Sequence, residues 1–135
     1  MPKSGILSIM QELPDPPHKP LCWVGRSLDE LRKLPEGVRR SFGYALRFAQ
    51  AGVRPDNAKP MTGFGGAGVL EIIENFDGST FRAVYAVKYA DAVYVLHCFQ
   101  KKSKKGIQTS GHTIDLIRQR LRLAEMMHKT RSDKQ

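Results

Sequence analysis

Cysteine is scarce in this chain. Its two cysteines, Cys22 and Cys98, stand 76 positions apart in apolar, strand-like runs. There is no CxxC spacing, which argues against a zinc site, and no set of half-cystines from which to build a disulfide framework; both residues are expected to be reduced, buried and structural. Long hydrophobic runs are missing too, and nothing approaches the roughly 18 apolar residues that a membrane span requires. The first thirty residues carry no secretory leader, since "GILSIM" is too short for an apolar h-region and is followed by prolines and charge. These absences point to a cytoplasmic protein with no membrane contact. No internal repeat occurs. His18, His112 and His128 show no ligand spacing, and no Ser-His-Asp set or carboxylate pair can be argued, because Glu71 and Glu74 are three apart in a strand and so face opposite ways. Acidic residues are sparse in the second part of the chain: residues 79–135 hold 12 basic and 4 acidic side chains, net +8, against net +1 for residues 1–78. Such a basic half points to a polyanionic partner, either nucleic acid or an acidic protein segment.

What is present fits one domain of 135 residues, long enough for a single modest core. Residues 1–18, with Pro2, Pro14, Pro16 and Pro17, read as an extended N-terminal arm, and 19–135 as the domain. "KPLCWVGR" (19–26) reads as a first strand. Ser27 and Glu30 have the spacing of a capping box ahead of a short helix. The segment 35–52 is the clearest helix: Val38, Phe42, Ala45, Leu46 and Ala49 share a face, Pro35 suits the first turn and Gly52 the stop. Residues 53–68 read as a loop. Three β-rich runs follow at 69–76, 80–89 and 92–99, with connections short enough for hairpins. The stretch 113–129 closes the chain as an amphipathic helix with Ile114, Ile117, Leu121, Ala124 and Met127 on one stripe. The order β-α-α-β-β-β-α gives an α+β fold, a mostly antiparallel sheet of about four strands packed against two N-terminal helices and a C-terminal helix.

"GFGGAG" (63–68) matches the dinucleotide fingerprint letter for letter, but no strand precedes it and no helix follows. Its glycines suit flexibility and close backbone approach beside Lys59. The last strand ends in "FQKKSKKG", four lysines within five positions. Lys101, Lys102, Lys104 and Lys105, with Arg82 from the neighbouring strand and Lys59 from the loop, would converge at one sheet edge, where Tyr85 and Phe99 offer flat surfaces for bases. The alternative is a solvated basic loop. His97 is either a general base or a core histidine satisfied by the backbone.

The segments "AKPMTGFGGAGVLEI", "TFRAVYAV" and "VLHCFQKKSKKGIQT", in this order, resemble the RelE/ParE superfamily of type II toxins, most closely its HigB-like, phage-related branch, over roughly residues 20–125. The resemblance implies helices on a curved antiparallel sheet. It also implies a metal- and cofactor-independent endoribonuclease that cuts messenger RNA on the ribosome, thereby inhibiting translation, and that is silenced by a cognate antitoxin, a helix-turn-helix protein encoded nearby. By position, Lys59, Arg82, Lys101 and Lys105 take the places of the family's site cations. Lys102, Lys104 and Phe99 join Lys59 in RNA binding, and proton transfer falls to His97, Tyr85 or a lysine. One departure is Ile73, where family members often carry arginine. Two alternatives remain open within the resemblance: a ParE-like inhibitor of DNA gyrase that cleaves nothing, and an inactive phage-derived RNA- or protein-binding module.

Overall fold

The computed structural model describes residues 18–66, 68–101 and 109–133. Chain order within them is β1 (Leu21–Trp23), α1 (Ser27–Arg32), α2 (Glu36–Gln50), β2 (Ala58–Pro60), β3 (Val69–Phe76), β4 (Ser79–Ala86), β5 (Val93–Lys101) and α3 (Gly111–Asp133). The strands form one sheet in the order β1-β5-β4-β3-β2, with β1 parallel to β5 and every other pair antiparallel.

Periodicity explains the layers. The α2 residues Val38, Phe42, Ala45, Leu46 and Ala49 are all buried, and they pack with Leu70, Ile72, Phe81, Ala83, Tyr85 and Val95 on one face of the sheet. Fully burying a side chain such as Phe42 or Leu46 is worth about 1.5–3 kcal/mol. Helix α3 covers the other face, where Ile117 and Ala124 are buried against Val69, Val84, Tyr94 and Leu96 while Ile114, Leu121 and Met127 pack at the margin. The β3–β4 hairpin closes through Asp77 (φ 53°) and Gly78 (φ 81°), the double left-handed turn that matches the twist of paired strands. Between Val84↔His97 and Tyr85↔Val95 the β4–β5 register slips by one, leaving Leu96 as an extra residue. This bulge resets the side-chain alternation, so that His97 and Phe99 follow Leu96 on the α3 side.

The structure departs from the sequence expectation in four places. The sheet has five strands, because Ala58–Pro60, within the stretch read as a loop, pairs with β3; three residues are too few for alternation to declare a strand. The last hairpin is not tight, since β4 ends at Ala86 and β5 begins at Val93. The capping box does not form: Ser27 is already helical and makes no cap hydrogen bond, while the Glu30 carboxylate is engaged by His97, Arg120 and the Cys98 amide. Helix α3 is longer than expected, running from Gly111 to Asp133. The proposed arm falls outside the described residues except for His18, as do Lys102, Lys104 and Lys105.

Candidate nucleic-acid interface

The site is built by strand register. Lys59 on β2 pairs with Glu71 on β3, which pairs with Val84 on β4, and Val84 with His97 on β5. One step along, Ile73 pairs with Arg82 and Arg82 with Phe99; beyond that, Thr80 pairs with Lys101. Alternation then puts Lys59, Glu71, Arg82, Phe99 and Lys101 on the α3 side of the sheet. Glu71 and Arg82 form an ion pair through Oε1 and Nη1, with only 6% and 9% of their side chains accessible. This pair is close to neutral, so the charges of Lys59 and Lys101 beside it are uncompensated among the described residues. Nε of Arg82 and Nζ of Lys101 are both shielded from solvent, and neither has a hydrogen-bond acceptor among the described residues. Burial, then repulsion from Arg82 and Lys59, holds the Lys101 ammonium below the usual lysine pKa, against the opposing pull of Glu71. The arrangement is short of an anion.

A cavity of about 480 Å³ opens on this face, lined among others by Lys59, Glu71, Arg82, Thr109, Ile114 and Arg118. Arg118 was not singled out in the sequence. Its guanidinium donates to the Gly63 carbonyl (3.1 Å) and lies over the Phe64 ring, 5.3 Å from its centroid. A signal was available: Arg118 follows Ile114 by one helical turn, so it flanks the apolar stripe on the same side of α3. For Glu71 the sequence shows only its spacing from Glu74, which puts the two on opposite faces of a strand. Its place among cations follows from register, which the sequence does not display.

His97 is partnered, but by side chains and not by the backbone. Its Nδ1 lies 2.8 Å from Glu30 Oε1 and its ring stacks on Phe99 at 4.6 Å. A carboxylate only accepts, so Nδ1 carries the proton, and its 3.3 Å approach to Arg120 Nη1 is then a contact between two donors. Arg120 Nη1 itself donates to Glu30 and to the Leu96 carbonyl, both at 2.9 Å. Burial would raise the Glu30 pKa, but the hydrogen bonds from His97, Arg120 and the Cys98 amide overcome it and hold the carboxyl at about 2. Tyr85 does not belong to this face. It lies three residues after Arg82, so alternation sends it to the α2 side, where it is 1% exposed and burial pushes its phenol to about 12. That corrects its expected role as a stacking or proton-transferring group. Phe99 lies on the expected face, directly across from Arg82. Cys98 is buried, its thiol raised to about 12 mainly by desolvation, while Cys22 is partly buried and also raised; both are free thiols. No helix among the described residues is long and apolar enough to cross a membrane.

Among solved structures, the chain is similar to a double arginine-to-alanine mutant of the Escherichia coli toxin RelE in the free state, at 20% identity over 65% of this chain and 88% of that one, with a TM-score of 0.48. A comparison with curated proteins finds no match. The family model described as "Phage derived protein Gp49-like (DUF891)" matches residues 29–122, a span that runs from α1 into α3 and includes Lys59, Arg82, Lys101 and Arg118. The chain therefore belongs to the Gp49-like phage-derived family, a family of RelE/HigB-type toxins within the RelE/ParE superfamily, and it is a toxin of the toxin–antitoxin kind.

Proposed function

We propose that this toxin cleaves messenger RNA on the ribosome without a metal or cofactor, and that an antitoxin encoded nearby silences it. The observation that carries the reading is a pair of shielded donors without an acceptor among the described residues, Arg82 Nε and Lys101 Nζ, beside Lys59. A phosphodiester supplies the missing acceptor oxygens and negative charge. In RNA, the 2′-oxygen attacks the adjacent phosphorus and the P–O5′ bond breaks, giving a 2′,3′-cyclic phosphate and a free 5′-hydroxyl. Charge on the phosphoryl oxygens rises in the transition state, where cations held in place beforehand contribute most. Lys59 and Arg82 hold the phosphate, and Arg82 is itself oriented by Glu71. Lys101, whose depressed pKa makes its ammonium a stronger acid, donates to the leaving 5′-oxygen. Glu71, the carboxylate lining the cavity, takes the 2′-proton. Phe99 offers a face across from Arg82 on which a base can stack.

The test is induction of the toxin alone, with mapping of new 5′ ends in messenger RNA. Wild type is expected to arrest growth and create ends within translated codons. Lys101→Ala, folded by circular dichroism, is expected to lose about 30- to 1000-fold in cleavage, the cost of roughly 2–4 kcal/mol of transition-state stabilisation. Full toxicity of a folded Lys101→Ala protein would overturn the phosphate site. Arrest with intact messages and a DNA-damage response would move the target to gyrase, and no arrest would leave a binding module.

A further inference from the structure

The glycine-rich turn that fails as a dinucleotide fingerprint has a different structural setting. Gly63 (φ 94°), Gly65 (φ 74°) and Gly66 (φ 150°) all take left-handed backbone that other residues avoid. A Cβ at Gly65 or Gly66 would meet nothing within 4 Å, so the shape of the turn, and not tight packing, calls for glycine there. Arg118 pins the turn at both Gly63 and Phe64. The turn and the helix thus both line the basic cavity, with Met61, Thr62 and Gly63 leading into the turn, Ile114 and Arg118 on the helix and Thr109 just before it.

We infer that this half of the cavity is a nucleobase subsite adjoining the phosphate held by Lys59 and Arg82, and that Arg118 sets its base preference. The inference rests on the RNA reading of the same site. A nucleotide has a charged end and a flat, partly apolar end, and the cavity lining offers both kinds of surface: Lys59, Arg82 and Glu71 from the sheet, and Met61, Ile114 and two threonines besides. Arg118 is exposed and carries five N–H donors, one of which goes to the Gly63 carbonyl. A guanidinium fork best matches a base edge with two adjacent acceptors. Guanine offers these at O6 and N7, whereas adenine and cytosine each present an amino donor on the corresponding edge and uracil presents a single acceptor there, O4. The expected preference is therefore for guanine, set by a residue that lies on a helix and not on the catalytic sheet.

Binding to the full chain separates this inference from the reading beneath it. The probes are inorganic phosphate and the 3′-monophosphates of guanosine, adenosine, cytidine and uridine, titrated calorimetrically. Wild type is expected to bind phosphate and to favour the guanosine nucleotide about 10-fold over the other three, within the discrimination a two-pronged arginine contact provides. Arg118→Ala should bring the four nucleotides to within about 2-fold of one another, since the discrimination came from the lost fork. Arg118→Lys keeps the charge but not the fork, so it should restore overall affinity without restoring the preference. Lys59→Ala should weaken all four together. Equal binding of the four nucleotides by wild type, or an unchanged preference in folded Arg118→Ala, overturns the base subsite and leaves the phosphate site standing. Failure to bind phosphate or any nucleotide overturns both.

Discussion

Replacing Glu30 with Gln tests whether one carboxylate ties three elements together. Glu30 belongs to α1, yet its Oε1 receives hydrogen bonds from His97 and the Cys98 amide on β5 and from Arg120 on α3. These donors hold the carboxyl at about 2 against an ordinary value of 4.5, although burial acts the other way. At about 1.36 kcal/mol per unit, a shift of this size sets a ceiling of about 3 kcal/mol. The side chain is 22% accessible and the carboxylate is partly screened by solvent, so about 2 kcal/mol is the better expectation. The sign follows from the direction. A depressed carboxylate stabilises the fold fully above its unfolded pKa, and that stability disappears as pH falls toward the folded value. Urea denaturation of wild type and Glu30→Gln from pH 7 down to pH 2.5 should therefore show a gap of about 2 kcal/mol at neutral pH that closes steadily below pH 5. Asp91 also has a depressed pKa, owing to hydrogen bonds from Tyr94, His128 and Arg131 that outweigh its burial, and it contributes its own acid sensitivity. It does so equally in both proteins, so the difference between the curves isolates Glu30. A gap that stays constant with pH would refute the reasoning.

Two further outcomes follow from the basic face. Arg82→Ala leaves Glu71 buried without its partner and should cost about 3–5 kcal/mol, whereas Arg82→Met with Glu71→Leu should recover most of that loss, as measured by urea midpoints. Lys101→Met should abolish toxicity without lowering the melting temperature, because it removes an uncompensated cation. The lysine pKa is depressed in the fold, so wild-type stability should rise with pH just below the ordinary lysine value, and the variant should lack that rise.

Much of the fold was legible because two periods dominate it. The α2 face and the α3 stripe were read correctly residue by residue, since each is a repeat that no other conformation would produce. The short strand β2 and the parallel pairing of β1 with β5 were not legible. Three-residue strands carry no alternation, and parallel pairing is settled by where distant segments pack. The site divides the same way. The sequence placed Lys59 in a loop, Arg82 within a strand and Phe99 and Lys101 around the end of the last strand, and register brings these four to one face of the sheet. Glu71 and Arg118 were missed because their membership depends on sheet register and on the docking angle of a helix. Tyr85 was misplaced for a reason the sequence did contain: three residues separate it from Arg82, and an odd separation along a strand puts two side chains on opposite faces.

Helix α3 supplies Ile114 and Arg118 to the cavity, so its seating is part of the site, and two carboxylates hold it. Glu30 binds Arg120, two residues beyond Arg118, while Asp91 binds His128 and Arg131 at the far end. At 1.5 Å per residue, Arg131 lies about 20 Å along the axis from Arg118, and Arg120 only about 3 Å. A substitution that merely lowers global stability should act on the cavity alike from either end. A substitution that unseats the helix locally should matter only near Arg118. Asp91→Asn and Glu30→Gln can be brought to the same fraction folded by choice of temperature, and nucleotide affinity can then be compared. Glu30→Gln is expected to weaken guanosine 3′-monophosphate binding several-fold while Asp91→Asn leaves it within about 2-fold, because a change so far from the ligand has no shared contact through which to couple. Equal losses in the two variants would show that the cavity senses only whether the domain is folded, and that the seating of α3 at Glu30 has no part in recognition.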